Sequence, residues 1–196
     1  MSDHPVSHDG LVLLYPGAGS GADHPGLVAI ADALAPMACV RRDFGYRQQG
    51  RRAPDRAPKL MAEVRAELAR QGDEGHGDRP VVLGGRSMGG RICSMVVAGA
   101  DGEPPPPQVT ALVLIAYPLH PPGRPERLRV EHLPDITVPC LFVSGTRDPF
   151  ATPDELERWT ATIPAPVTHV WIDGARHELR GADAEVAAAV ARFCPR

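Results

Sequence analysis

Pro80-Val81-Val82-Leu83-Gly84-Gly85-Arg86-Ser87-Met88-Gly89-Gly90 is the stretch on which the reading of this chain turns. The run Pro80 to Gly84 has the continuous apolar character of a strand covered on both faces. Beyond it, Ile92-Cys93-Ser94-Met95-Val96-Val97-Ala98 reads as a small, apolar helix. Between the two, Gly85-Arg86-Ser87-Met88-Gly89 fits G-x-S-x-G, the nucleophile elbow, in which a serine sits on a sharp strand-to-helix turn. The turn strains the serine backbone and crowds the residues two before and two after it; Gly85 and Gly89, lacking Cβ, relieve that crowding. The hydroxyl then stands at the tip of a sheet beside the positive end of a helix, where a developing anion is stabilised. No Gly-Lys-Ser/Thr follows, which argues against a nucleotide P-loop.

Outward from the elbow the chain alternates strand-like and helix-like segments, the pattern of a parallel α/β sheet. The apolar runs predict strands at Leu11–Tyr15, Cys39–Phe44, Val81–Leu83, Val109–Ala116, Cys140–Ser144 and Val167–Ile172. Helices are predicted at Leu27–Leu34, Pro58–Gln71, Met88–Ala98, Pro153–Thr162 and Ala182–Phe193, the second marked by Leu60, Val64 and Leu68 at helical spacing. Gly45–Ala57, Gly72–Arg79, the proline-rich Gly102–Gln108 and the longer Tyr117–Pro139 read as loops. The last is too short for a large helical lid. The expected architecture is therefore α/β, with about six mostly parallel strands and helices on both faces.

At 196 residues the chain suits one domain, residues 1–196, with 1–9 a flexible, polar N-terminal segment. A formal net charge of −3, with Lys59 the only lysine, favours neither nucleic acid nor an anionic membrane as partner. The longest apolar stretches are too short to span a bilayer and no leader is visible, so a cytoplasmic protein is expected. Cys39, Cys93, Cys140 and Cys194 lack metal-type spacing and are expected as buried free thiols. No metal or organic cofactor is called for.

A serine hydroxyl needs an aligned base, and the base an orienting acid, in the chain order Ser, acid, His for this kind of sheet. Asp148 lies just beyond the strand Cys140–Ser144, where site residues collect; Asp173 is the weaker rival. His177 is the one histidine after the last strand. The oxyanion of an acyl-transfer intermediate needs two backbone N–H donors. They are expected from Met88, after the serine, and from Ala18 in the loop Tyr15-Pro16-Gly17-Ala18-Gly19-Ser20-Gly21. The spacing of that loop is wrong for a G-x-G-x-x-G dinucleotide fingerprint. Tyr117, His120 and Phe150 are candidates to shape the pocket, although His120, like His132, reads more readily as a solvent-exposed polar residue.

Together these residues resemble the α/β-hydrolase superfamily from Leu11 onward, which implies the strand order 2-1-3-4-5-6. Gly84-Gly85-Arg86-Ser87-Met88-Gly89-Gly90-Arg91, Tyr117-Pro118-Leu119-His120 and Ser144-Gly145-Thr146-Arg147-Asp148 look like a compact, nearly lidless group near the dienelactone hydrolases. A related domain occurs in a testis-expressed protein and in a subunit of a eukaryotic chromatin-acetylation complex. The resemblance implies Ser87 as nucleophile, Asp148 as acid and His177 as base. Two departures stand out. Pro16-Gly17 replaces the group's usual His-Gly, and Ser87 stands where dienelactone hydrolases proper carry cysteine, so their substrate is not inherited. The expected activity is hydrolysis of small carboxylic esters or thioesters by a monomer or homodimer. The rivals are a scaffold of the same fold acting through protein contacts and a non-hydrolytic member of the fold.

Overall fold

The structure, a computed structural model, describes residues 10–72 and 79–194. The N-terminal segment 1–9 and most of the polar turn expected at Gly72–Arg79 lie outside the described residues. The elements run β1 (Leu11–Tyr15), α1 (Pro25–Leu34), β2 (Ala38–Arg41), α2 (Gly45–Gln48), α3 (Ala57–Gln71), β3 (Val81–Arg86), α4 (Met88–Val97), β4 (Val109–Ile115), a 3-10 turn (Leu133–Asp135), β5 (Cys140–Gly145), α5 (Pro153–Thr160), β6 (Val167–Ile172) and α6 (Asp183–Phe193). The six strands lie in the order β2-β1-β3-β4-β5-β6, and every neighbouring pair is parallel.

Alternation along the strands sends side chains into two cores. Leu11, Leu13 and Tyr15 of β1 join Leu60, Val64 and Leu68 of α3 and Ile92 and Val96 of α4 on one face. Val12 and Leu14 join Leu27 and Ile30 of α1 and Val186 and Val190 of α6 on the other. Because helices cover both faces, the strands carry the near-continuous apolar runs read from the sequence.

β2 ends at Arg41 rather than at the expected Phe44. It is an edge strand paired with β1 alone, and β1 offers no partner once the chain turns away at Pro16. Part of the loop expected at Gly45–Ala57 is instead the short helix α2. Gly45 N–H donates to Glu63 Oε2 at 2.8 Å, and Tyr46, fully buried, donates its hydroxyl to the Ala18 carbonyl at 3.1 Å.

Strand order reverses between β1 and β3, so the crevice at their C-terminal ends is the topological switch point where ligands bind in open α/β sheets. The loop after β1 and the elbow after β3 meet there. A Cβ at Gly89 would lie 2.5 Å from the Tyr15 carbonyl oxygen and 2.6 Å from that of Pro16, both backbone atoms. Gly89→Ala therefore destabilises by about 3 kcal/mol through overpacking. That outweighs the ~1 kcal/mol gained in helix propensity. Calorimetry should show Tm lowered by roughly 4–8 °C. Gly19→Ala, where a Cβ meets nothing within 4 Å, leaves Tm in place.

Candidate active site

Ser87 occupies the bend between β3 and α4 with φ 51° and ψ −119°, a left-handed conformation strained for any residue with a Cβ. Its N–H donates to the Ile115 carbonyl at 2.8 Å, which fixes the bend against β4. Ser87 Oγ lies 2.8 Å from His177 Nε2, and His177 Nδ1 lies 2.8 and 3.1 Å from the two Asp148 carboxylate oxygens. A carboxylate only accepts, so Nδ1 carries the proton in the neutral imidazole and Nε2 is left to accept from the serine hydroxyl. The arrangement can draw a proton from Ser87 Oγ onto His177 beside a charge that stabilises the resulting imidazolium.

Each member is held from outside the triplet. Asp148 is 2 % exposed, and a carboxylate that deep needs donors; Phe150 N–H supplies a second one at 2.8 Å. The Phe150 ring stacks on the His177 imidazole at 3.9 Å between centroids, which restrains its plane. Arg86 donates from Nη2 to the His177 carbonyl at 2.9 Å, tying the base's loop to the residue next to the serine. Burial pushes the Arg86 pKa down, opposed by the nearby Glu178, Asp148 and Asp183. Asp173, the weaker rival for the acid, is exposed and accepts from Thr146 Oγ1 at 3.3 Å.

Ala18 and Met88 both line the surface around Ser87. Met88 is the first residue of α4, where backbone N–H groups have no intrahelical acceptor. The Gly17 carbonyl accepts from Ser20 N–H at 3.2 Å, which orients the Gly17–Ala18 peptide, and a Cβ on Gly17 would lie 3.4 Å from Ser87 Cβ. Two open clefts flank the serine. One of about 540 Å³ is lined by Gly17, His24, Arg86, His177, Glu178 and Arg180 among others. The other, of about 310 Å³, includes Leu60, Met88, Arg91, Pro118 and Arg129. Phe150 lines both.

Tyr117 and His120 line neither cleft, correcting the expectation that they shape the pocket. His120 is buried, with Nδ1 2.9 Å from the Pro121 carbonyl and Nε2 3.6 Å from Glu155. Tyr117 hydroxyl, Ser94 Oγ and His132 Nε2 form a closed triangle of 3.0, 2.8 and 3.1 Å behind α4. His132 is thus buried, not solvent-exposed. The sequence carried only a faint signal for this cluster: Ser94 sits two turns along α4 from Ser87.

Burial, reinforced by Arg91, pushes the His132 pKa down to about 4. The unfolded imidazole takes up its proton near pH 6.5, so between about 6.5 and 4 the unfolded state binds more protons and stability is lost as the pH is lowered. The loss approaches about 3 kcal/mol at the acid end of that window. Urea titrations at pH 7 and pH 4.5 should show a shallower acid loss in His132→Asn than in the wild type. His24 and His169, also shifted down by burial, sustain the remaining slope.

No helix among the described residues is long and apolar enough to cross a membrane, and no group of three or more His, Cys, Asp or Glu there is arranged to hold a metal ion. All four cysteines are free thiols.

A parallel sheet of this order, with a strained serine after its third strand and no large lid, defines the α/β-hydrolase fold. The chain belongs to the family described as alpha/beta hydrolase domain, whose model matches residues 8–189. Solved structures of similar fold include an alpha-beta serine hydrolase homologue from Coxiella burnetii (TM-score 0.76, 19% identity, 95% of this chain and 85% of that one). Est1E from Butyrivibrio proteoclasticus is similar at TM-score 0.72 and 16% identity, over 94% of this chain and 86% of that one. A dienelactone hydrolase from Anabaena variabilis matches at TM-score 0.66 and 19% identity, over 95% and 83% of the two chains.

Proposed function

We propose that the protein is a serine hydrolase of small carboxylic esters or thioesters. The observation that carries this reading is the unbroken relay from Ser87 Oγ through the His177 imidazole to the buried Asp148 carboxylate. Ser87 Oγ attacks the substrate carbonyl while His177 Nε2 takes its proton, and the carbonyl oxygen becomes an oxyanion facing the N–H groups of Ala18 and Met88. His177 returns the proton to the leaving oxygen or sulfur, giving an acyl-Ser87 ester. Water, deprotonated by the same nitrogen, attacks that ester; the tetrahedral adduct collapses, the acid departs and Ser87 is restored. Open clefts of modest volume favour short substrates over long acyl chains.

Labelling with a fluorophosphonate, followed by peptide mass spectrometry, tests the reading. Modification of Ser87 in folded protein, absent after heat denaturation, is the expected outcome. Labelling no greater than the denatured control would overturn it and favour a scaffold acting through protein contacts.

A further inference from the structure

The two clefts divide the proposed reaction between them. A leaving group must end within reach of His177 Nε2 to receive its proton. His177 lines the larger cleft, together with Glu178 and Arg180, and is absent from the lining of the smaller one. That leaves the 310 Å³ cleft for the acyl chain; its lining includes Leu60, Met88, Pro118, Arg91 and Arg129.

Asp55, the one acid lining this cleft, is already engaged: Arg51 and Lys59 each lie 2.8 Å from it. Neither Arg91 nor Arg129 has an ion pair among the described residues. Arg91 Nε is buried with no hydrogen-bond partner there, and Nη1 donates only to the weak acceptor Met95 Sδ at 3.1 Å. Burial and the neighbouring Arg129 both push the Arg91 pKa down, with Tyr117 and Glu131 opposing. Two like charges lining one cleft, neither paired directly with a carboxylate, are a standing cost that a bound anion offsets, and guanidinium groups match a carboxylate in bidentate geometry.

Resting on the hydrolase reading above, we propose that Arg91 and Arg129 form a subsite for a carboxylate at the far end of the acyl group, so that the preferred substrates are half-esters or half-thioesters of short dicarboxylic acids. The apolar wall of Leu60, Met88 and Pro118 takes the intervening methylenes.

The test compares 4-nitrophenyl hydrogen glutarate with its neutral methyl ester on the purified full chain, uncatalysed rates subtracted. The anionic substrate should have a kcat/KM about tenfold higher or more at low salt, as expected for charge-assisted hydrogen bonds. Arg91→Met and Arg129→Met should each bring that ratio toward parity, as should raising NaCl from about 20 mM to about 500 mM. A wild-type ratio at or below parity, or a ratio unmoved by both substitutions, overturns the proposal. Titrating Ser87→Ala protein with monomethyl glutarate reads the subsite without turnover. Binding should weaken about tenfold when Arg129→Met is added, and unchanged binding counts against the subsite. If neither ester is hydrolysed and Ser87 is unlabelled, the hydrolase reading falls, while the titration still decides the carboxylate site.

Discussion

Ser87→Ala lowers kcat by about 10⁶-fold, if the residues act as a unit in the way serine proteases do. The size of the loss follows from the relay. Without Oγ there is nothing for His177 to deprotonate and no acyl intermediate to form, so what remains is whatever the oxyanion donors and binding supply to a direct attack by water. The fold should not suffer. Ser87 donates through its backbone N–H to Ile115, which alanine keeps, and its side chain caps no helix. Steady-state kinetics on a short 4-nitrophenyl ester, with Tm measured alongside, checks both halves. A loss below about a hundredfold in folded protein would mean that another group performs the attack.

Asp148→Asn is the second large effect, a fall in kcat of about 10⁴-fold with little change in KM. Its cause is a tautomer. Asparagine keeps an oxygen that can accept from Phe150 N–H, so the loop after β5 stays in place. The remaining amide NH₂ then faces His177 Nδ1, which must accept rather than donate. The imidazole proton moves to Nε2, the nitrogen 2.8 Å from Ser87 Oγ, where it blocks uptake of the serine proton. Kinetics above and below neutrality, together with the proton shifts of the His177 ring, would detect the change. A kcat within tenfold of wild type would show that Asp148 does not set the tautomer.

The parts of the molecule that were legible beforehand are those written in local pattern. Continuous apolar runs marked all six strands, and the family resemblance implied their order. The Ser87 turn, Asp148 beyond β5 and His177 beyond β6 were readable because the fold puts chemistry at strand ends. What was not legible depends on distant partners. His132 looks solvated in a proline- and charge-rich stretch; it is buried because Ser94 and Tyr117, far off in sequence, satisfy its imidazole. Helix α2 is too short to show periodicity and is set by Glu63 and Ala18. The mistaken pocket role for Tyr117 has the same origin: its place beyond β4 was readable, but not that its ring turns inward onto Phe142, with centroids 5.4 Å apart.

The segment between β4 and β5 contributes one 3-10 turn and no helical cover over Ser87. A site without a cover has no gate to open or shut. Its substrates meet a surface already in working order, so discrimination has to be exercised at encounter, by charge and fit, rather than by a closing motion that accepts one molecule and rejects another. Such a protein trades seclusion for access: water reaches the serine as readily as substrate does, which suits chemistry whose second reactant is water.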